Sequence, residues 1–135
     1  MKLTVKSYIE PVDIDITKNN EIVQTLHFDG DFNDGNVVKA VELGKELVEM
    51  ANALSDSDDL GKALADVADC VTPLIDLMLG DGATATIAAA VTAEQEPKAA
   101  VHTLVDIANA LNAECAERNK TSRVSTAARY LDEEA

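Results

Sequence analysis

Apolar residues recur at every second position near the start of the chain, then every third or fourth position from Asn36 onward. Leu3, Val5, Ser7 and Ile9 share one face against Lys2, Thr4, Lys6 and Tyr8. Beyond Pro11, Val12, Ile14 and Ile16 alternate with Asp13, Asp15 and Thr17. The turn-forming stretch TKNNE follows, after which Ile22, Leu26 and Phe28 resume the alternation with Gln24 interrupting it. This period of two predicts two or three short antiparallel strands. Such a hairpin or meander is too small to stand alone, so its apolar face has to pack on helices.

The longer period predicts those helices. Val37, Ala40, Val41, Gly44, Leu47, Val48, Ala51 and Leu54 form one stripe, with Lys39, Glu42, Glu46 and Glu49 opposite. SDSDD ends this helix and offers N-caps for the next, whose stripe runs through Leu60, Leu64, Val67, Ala68, Val71, Leu74, Ile75 and Met78. Pro73 inside it predicts a kink or a restart near Thr72, and Gly80 a stop. The small-residue stretch DGATATIAAAVTAEQE reads as a short helix and a loop, and Pro97 suits the first turn of a third long helix burying Val101, Leu104, Val105, Ala108, Leu111 and Cys115. The pattern therefore predicts an α+β fold, mainly α. A small N-terminal antiparallel β element (1–30) packs on a body of three long helices plus a short one (36–117). Residues 118–135 read as a polar tail, flexible or with a short amphipathic helix around Val124 to Leu131.

Composition narrows the functional classes. Apolar residues make up 47% of the 135, enough for a real core, and that core is aliphatic because there is no Trp and aromatics are 3%. The net charge of −14 argues against direct nucleic-acid binding, which needs clustered Lys and Arg to neutralise phosphates. Four of the eleven basic residues, Arg118, Lys120, Arg123 and Arg129, fall in the final segment. Cys70 and Cys115 sit within apolar helical patterns and form no CxxC. The N-terminus lacks the apolar core of a signal peptide, and ATATIAAAVTA is far shorter than the roughly 18 residues of a membrane span. A reducing cytoplasm is the expected compartment.

Candidate chemistry is sparse. HFDGDFNDGN, residues 27 to 36, has the composition of a calcium loop. With Asp29 at position 1, Asp31 and Asn33 fall at positions 3 and 5, but Gly35 arrives one place late and Ala40 occupies the position of the bidentate Glu. The alternative is a strand end with Asn33 or Asp34 capping the first long helix. Gly80, Gly82 and Ala85 match G-x-G-x-x-A, yet the preceding residues continue a helical stripe where a dinucleotide fingerprint requires a strand. His27 and His102 are isolated, and a metal site from His102, Cys70 and Cys115 would need all three to converge. No nucleophile–base pair or carboxylate dyad is legible. Neither enzyme activity nor a cofactor is expected.

The segment LIDLMLGDGATATIAAA carries a resemblance. It resembles the mid-chain motif of small tail assembly chaperone-like proteins of tailed phages and prophages of Gram-positive bacteria. In that family a helix ending in Leu-aromatic runs into Gly-acidic-Gly, a small residue and a short helix. Met78, Leu79, Gly80, Asp81, Gly82 and Ile87 occupy the corresponding places, with Leu79 and Ala88 where the family usually has aromatics. The resemblance implies a protein of the bacterial host cytoplasm that binds the helical tape-measure protein, keeps its apolar surface soluble and helps recruit tail tube subunits. The structural corner is then Gly80, Asp81 and Gly82. Around it the sequence has more apolar positions than one helical face can bury, so the expected partner groove comprises Leu74, Leu77, Met78, Leu79, Ile87 and Val91. Alternatives are a structural virion or adaptor protein forming oligomers through the β element, and a calcium-binding module on the 27–36 stretch.

Overall fold

Two consecutive residues with positive φ, Asn19 (53°) and Asn20 (64°), turn the chain back on itself and set the N-terminal element. Paired left-handed residues make the two-residue turn whose twist matches antiparallel strands, and Asn tolerates that region better than most side chains. The hairpin joins β1 (Ile9–Lys18) to β2 (Glu21–Asp31). In this computed structural model, which describes residues 1–2, 8–54 and 59–134, the apolar cross-strand pairs Val12–Phe28 and Ile14–Leu26 face the helices. Asp13–His27 and Asp15–Thr25 face outward, joined by contacts of 2.7 and 2.8 Å. The interruption at Gln24 is a bulge: Ile16 pairs with Gln24 and Thr17 with Ile22, which leaves Val23 as the extra residue. The alternation at Leu3, Val5 and Ser7 lies outside the described residues.

Among the described residues four helices follow: α1 (Asp34–Leu54), α2 (Leu60–Leu79), α3 (Ala83–Glu94) and α4 (Pro97–Glu134). The 27–36 stretch is the joint between hairpin and α1. Asn33 is the N-cap, its Oδ1 accepting from the Asn36 amide at 2.9 Å and its carbonyl from the Val37 amide at 3.0 Å. The Asp31 carboxylate accepts from the Asn33 amide and side chain, so it serves the cap. Gly30 is required by close approach, because a Cβ there would lie 2.7 Å from the Phe32 ring and 2.9 Å from Val12.

α1 buries Val37, Ala40, Gly44 and Ala51, with Val41, Leu47 and Leu54 partly covered. At Gly44 it crosses α4 so closely that a Cβ would meet the Asn112 side chain at 2.1 Å. Asp59 caps α2 by accepting from the Lys62 amide at 3.2 Å. The restart expected at Pro73 does not occur: α2 runs unbroken through it, with Thr72 Oγ1 donating to the Ala68 carbonyl at 2.6 Å. Pro73 is exposed, so its ring sits on the solvent side of the helix. α2 and α3 meet at 112°. α4 starts at Pro97 and packs against all three other helices, while the hairpin lies on α2 and α3. It continues as one helix to Glu134, beyond position 117, where the sequence pattern ends the body. Among the described residues no single helix is long and apolar enough to cross a membrane.

Candidate functional site

The glycine corner is built for rigidity. Gly80 (φ 108°) ends α2, its amide donating to the Asp76 carbonyl at 2.9 Å, and Gly82 (φ 83°) opens α3. Both conformations suit glycine, which has no Cβ to clash. The Asp76 side chain reaches across the corner. Its carboxylate accepts from the amides of Gly82 (3.0 Å) and Thr84 (2.9 Å) and from the Thr84 hydroxyl (2.8 Å). One residue of α2 thus caps α3, satisfying orphan amides and placing negative charge at a helix N-terminus. Asp81 is exposed at the bend. The glycine pattern follows a helix, so the strand that a dinucleotide fingerprint requires is not in front of it.

The apolar residues expected to form a partner groove around this corner are core. Leu74, Met78 and Ile87 are completely buried, Leu79 and Val91 nearly so, and Leu77 is half-buried against them. The surplus of apolar positions over one helical face arises because α2 is covered on several sides, by α1, α3, α4 and β2. The groove assigned to these six residues is therefore corrected. In the folded chain they hold the corner together, and Leu79 also lines a surface cavity.

That cavity lies elsewhere, in the seam between the hairpin and α4. Its volume is about 410 Å³, within the range of ligand clefts. β1 contributes Glu10, Val12 and Ile14, the β2–α1 joint contributes Phe32, and the end of α2 contributes Leu79. Ile107, Ala110, Leu111, Glu114 and Arg118 line it from α4. Their spacing of i, i+3, i+4, i+7 and i+11 puts them on one side of that helix. A second cavity of about 250 Å³, lined by Tyr8, Asp34, Val37, Val38 and Asn119, shares Phe32 and Arg118 with the first.

Arg118 sits where the two cavities meet. Its guanidinium makes a two-pronged pair with Glu10, at 2.7 and 3.1 Å, and donates to Glu114 at 2.8 Å. It also lies over the Phe32 ring, 4.1 Å from the centroid. The bond from Arg118 holds the Glu10 carboxyl below the ordinary carboxylate range, against a smaller opposing effect of desolvation. The two carboxylates in turn hold the guanidinium proton more tightly than usual, Glu10 most of all. At the other end of the hairpin, Gln95 donates to the Thr17 carbonyl and Lys18 pairs with Glu94 at 3.9 Å. The hairpin is thus pinned at both ends, with the cavity between it and α4.

The remaining candidates stay apart. His102 is exposed on α4, whereas Cys70 and Cys115 are buried. Burial raises both thiols above the ordinary cysteine range, and Cys70 donates to the Leu47 carbonyl at 3.3 Å. His27 lies on the outer hairpin face beside Asp13. Among the described residues no group of three or more His, Cys, Asp or Glu is arranged to hold a metal ion. Glu42, Glu46 and Glu49 are all exposed, the solvated face that their spacing predicts. Sequence reasoning missed the seam. The local signal within it is the i, i+4 pair Glu114–Arg118, and Glu10 is 108 residues away from its partner. Comparison of the chain with protein-family models, with characterised proteins and with solved structures returned no match.

Proposed function

We propose that this protein is a non-enzymatic tail assembly chaperone-like factor of a phage or prophage, acting in the bacterial host cytoplasm. It holds an apolar helical segment of a tape-measure-type protein in solution while a tail is assembled, and hands it on to tail tube subunits. The observation that carries this reading is the open apolar cavity in the seam between hairpin and α4, on a body of net charge −14. An apolar cleft takes side chains from a partner helix, while charge repulsion keeps the loaded carrier from aggregating. The LMLGDGATATI corner, which resembles that family's motif, supports the reading indirectly: it is the rigid support behind Leu79, one wall of the cavity.

Co-expression with a tape-measure fragment from the same locus tests the proposal. The fragment should move from the insoluble to the soluble fraction when this protein is present and co-purify with it. Equal insolubility with and without the protein refutes the reading.

A second reading, a structural virion or adaptor protein, draws on the exposed apolar residues of β2, where Ile22 and Val23 are 61% and 47% accessible. Strand edges with exposed apolar side chains invite pairing between chains. Detection of the protein at stoichiometric copy number in purified particles, with a ring-sized species in solution, would favour it over the chaperone.

A further inference from the structure

The seam's geometry says what kind of helix it takes. The cavity floor is aliphatic and aromatic, but its rim is acidic. Glu10 stands on the hairpin side and Glu114 on the α4 side. Along the adjoining solvent-facing stripe of α4, Asp106, Ala110, Ala113 and Glu117 recur at i, i+4, i+7 and i+11, and all four are exposed. Among the described residues Arg118 is the one cation lining the cavity, and it is already engaged by Glu10 and Glu114. Beside an apolar slot this leaves a strip whose side chains are either small enough for a second backbone to approach or negatively charged.

We propose that the β1–α4 cavity docks a cationic amphipathic helix. Its leucine-like knobs enter the slot, its backbone runs over Ala110 and Ala113, and its flanking Lys or Arg residues meet Asp106 and Glu117. The inference rests on the reading of this protein as a helix carrier and adds the site and the charge rule. Charge complementarity selects the occupant. A second copy of this chain, with 25 acidic against 11 basic residues, would bring like charge to an acidic rim, where repulsion opposes docking. A helix also matches the strip, because the distance between packed helices is set by the side chains at the crossing, and Ala110 and Ala113 there are small and exposed. The rim pairs are exposed, so they act more on selectivity and association rate than on total affinity.

The test uses the full chain and two synthetic alanine-based peptides of about 20 residues, long enough to span the seam as a helix. Both carry leucines at i, i+3, i+4 and i+7; one is flanked by lysines and its twin by glutamates. Binding is read by fluorescence anisotropy at low and high salt. The lysine peptide should bind at least about tenfold more tightly at low salt, with the gap closing as salt screens the rim. Combining Asp106→Lys with Glu117→Lys should reverse the preference. Ala110→Trp, which fills the mouth of the cavity from an exposed position, should abolish binding of both peptides without lowering the unfolding midpoint. Equal affinity for the twins, or a preference unchanged in the double-lysine variant, overturns the charge rule. Self-association of the wild-type chain that Ala110→Trp removes would assign the slot to a second copy and also overturn the proposal. The chaperone reading is scored separately: a tape-measure fragment still solubilised by Ala110→Trp keeps the carrier and discards this site.

Discussion

Two regions of this molecule concentrate apolar side chains and acidic hydrogen bonding, and they do opposite things. At the glycine corner, Leu74, Met78 and Ile87 are sealed, and the Asp76 carboxylate takes three bonds across a bend of 112°. At the seam, Val12, Ile14 and Ile107 are partly buried, and the carboxylates of Glu10 and Glu114 meet a guanidinium at the surface. The corner is made by residues adjacent in the chain, which lets α2 and α3 close on each other through one short turn. Elements far apart in sequence meet at the seam: a twisted two-stranded sheet against a cylindrical helix. Those shapes do not fit flush, and the mismatch leaves about 410 Å³ of open apolar space. Apolar density alone therefore marks core as readily as a binding surface, and packing geometry decides between them.

Substitution should separate the two regions by size of effect. The largest is expected from Met78→Ala, which empties a sealed position and should lower stability by about 2–5 kcal/mol in urea unfolding. An unchanged midpoint would return the corner to the surface and dissolve the distinction. Gly30→Ala should come next, at about 1–3 kcal/mol, because its Cβ overlaps the Phe32 ring. Adding Phe32→Leu should recover part of that loss in the same measurement, showing that the clash is with the wall of the seam. Asp76→Ala removes the cap from α3 and leaves the Gly82 and Thr84 amides without it. About 1–2 kcal/mol is expected by thermal unfolding.

Arg118→Ala should be weaker still, about 1 kcal/mol or less, since its ion pairs are partly exposed. Arg118→Lys should not restore the loss, because an ammonium cannot make the two-pronged pair with Glu10. A loss as large as that of Met78→Ala would make the seam part of the core after all. The smallest effect concerns pH. Glu10 titrates lower in the folded chain than in the unfolded one, so its contribution is present above the ordinary carboxylate range. It disappears as pH falls through the folded value. Glu10→Gln should therefore lower stability slightly at neutral pH and converge with the wild type at low pH, flattening the acid limb below about pH 4. An acid limb identical to the wild type would show that the Glu10–Arg118 pair does not persist in solution.

Local periodicity made much of this architecture legible. The alternation at Val12, Ile14 and Ile16 identified the inner face of β1, and Gln24 marked the bulge. The stripes of α1, α2 and α4 marked the buried positions, because a helix shows its inner face every three to four residues whatever covers it. Asn33 and Asp59 were readable as caps, since capping acts over three residues or fewer. Counting positions in HFDGDFNDGN separated a helix joint from a calcium loop, and the structure gives Asp31 to the Asn33 cap.

What needed the tertiary structure is everything that depends on how distant elements meet. Sequence pattern placed a groove at Leu74, Met78 and Ile87 because it counts apolar residues without knowing how many neighbours will cover them. It separated Arg118 from the body because the polar residues around it break the stripe, while the bond that holds Arg118 comes from Glu10 on another element. Hydrophobic period is a property of one segment and is written into it. A cavity is what remains when several segments cannot all pack flush, and it exists only once they have been brought together.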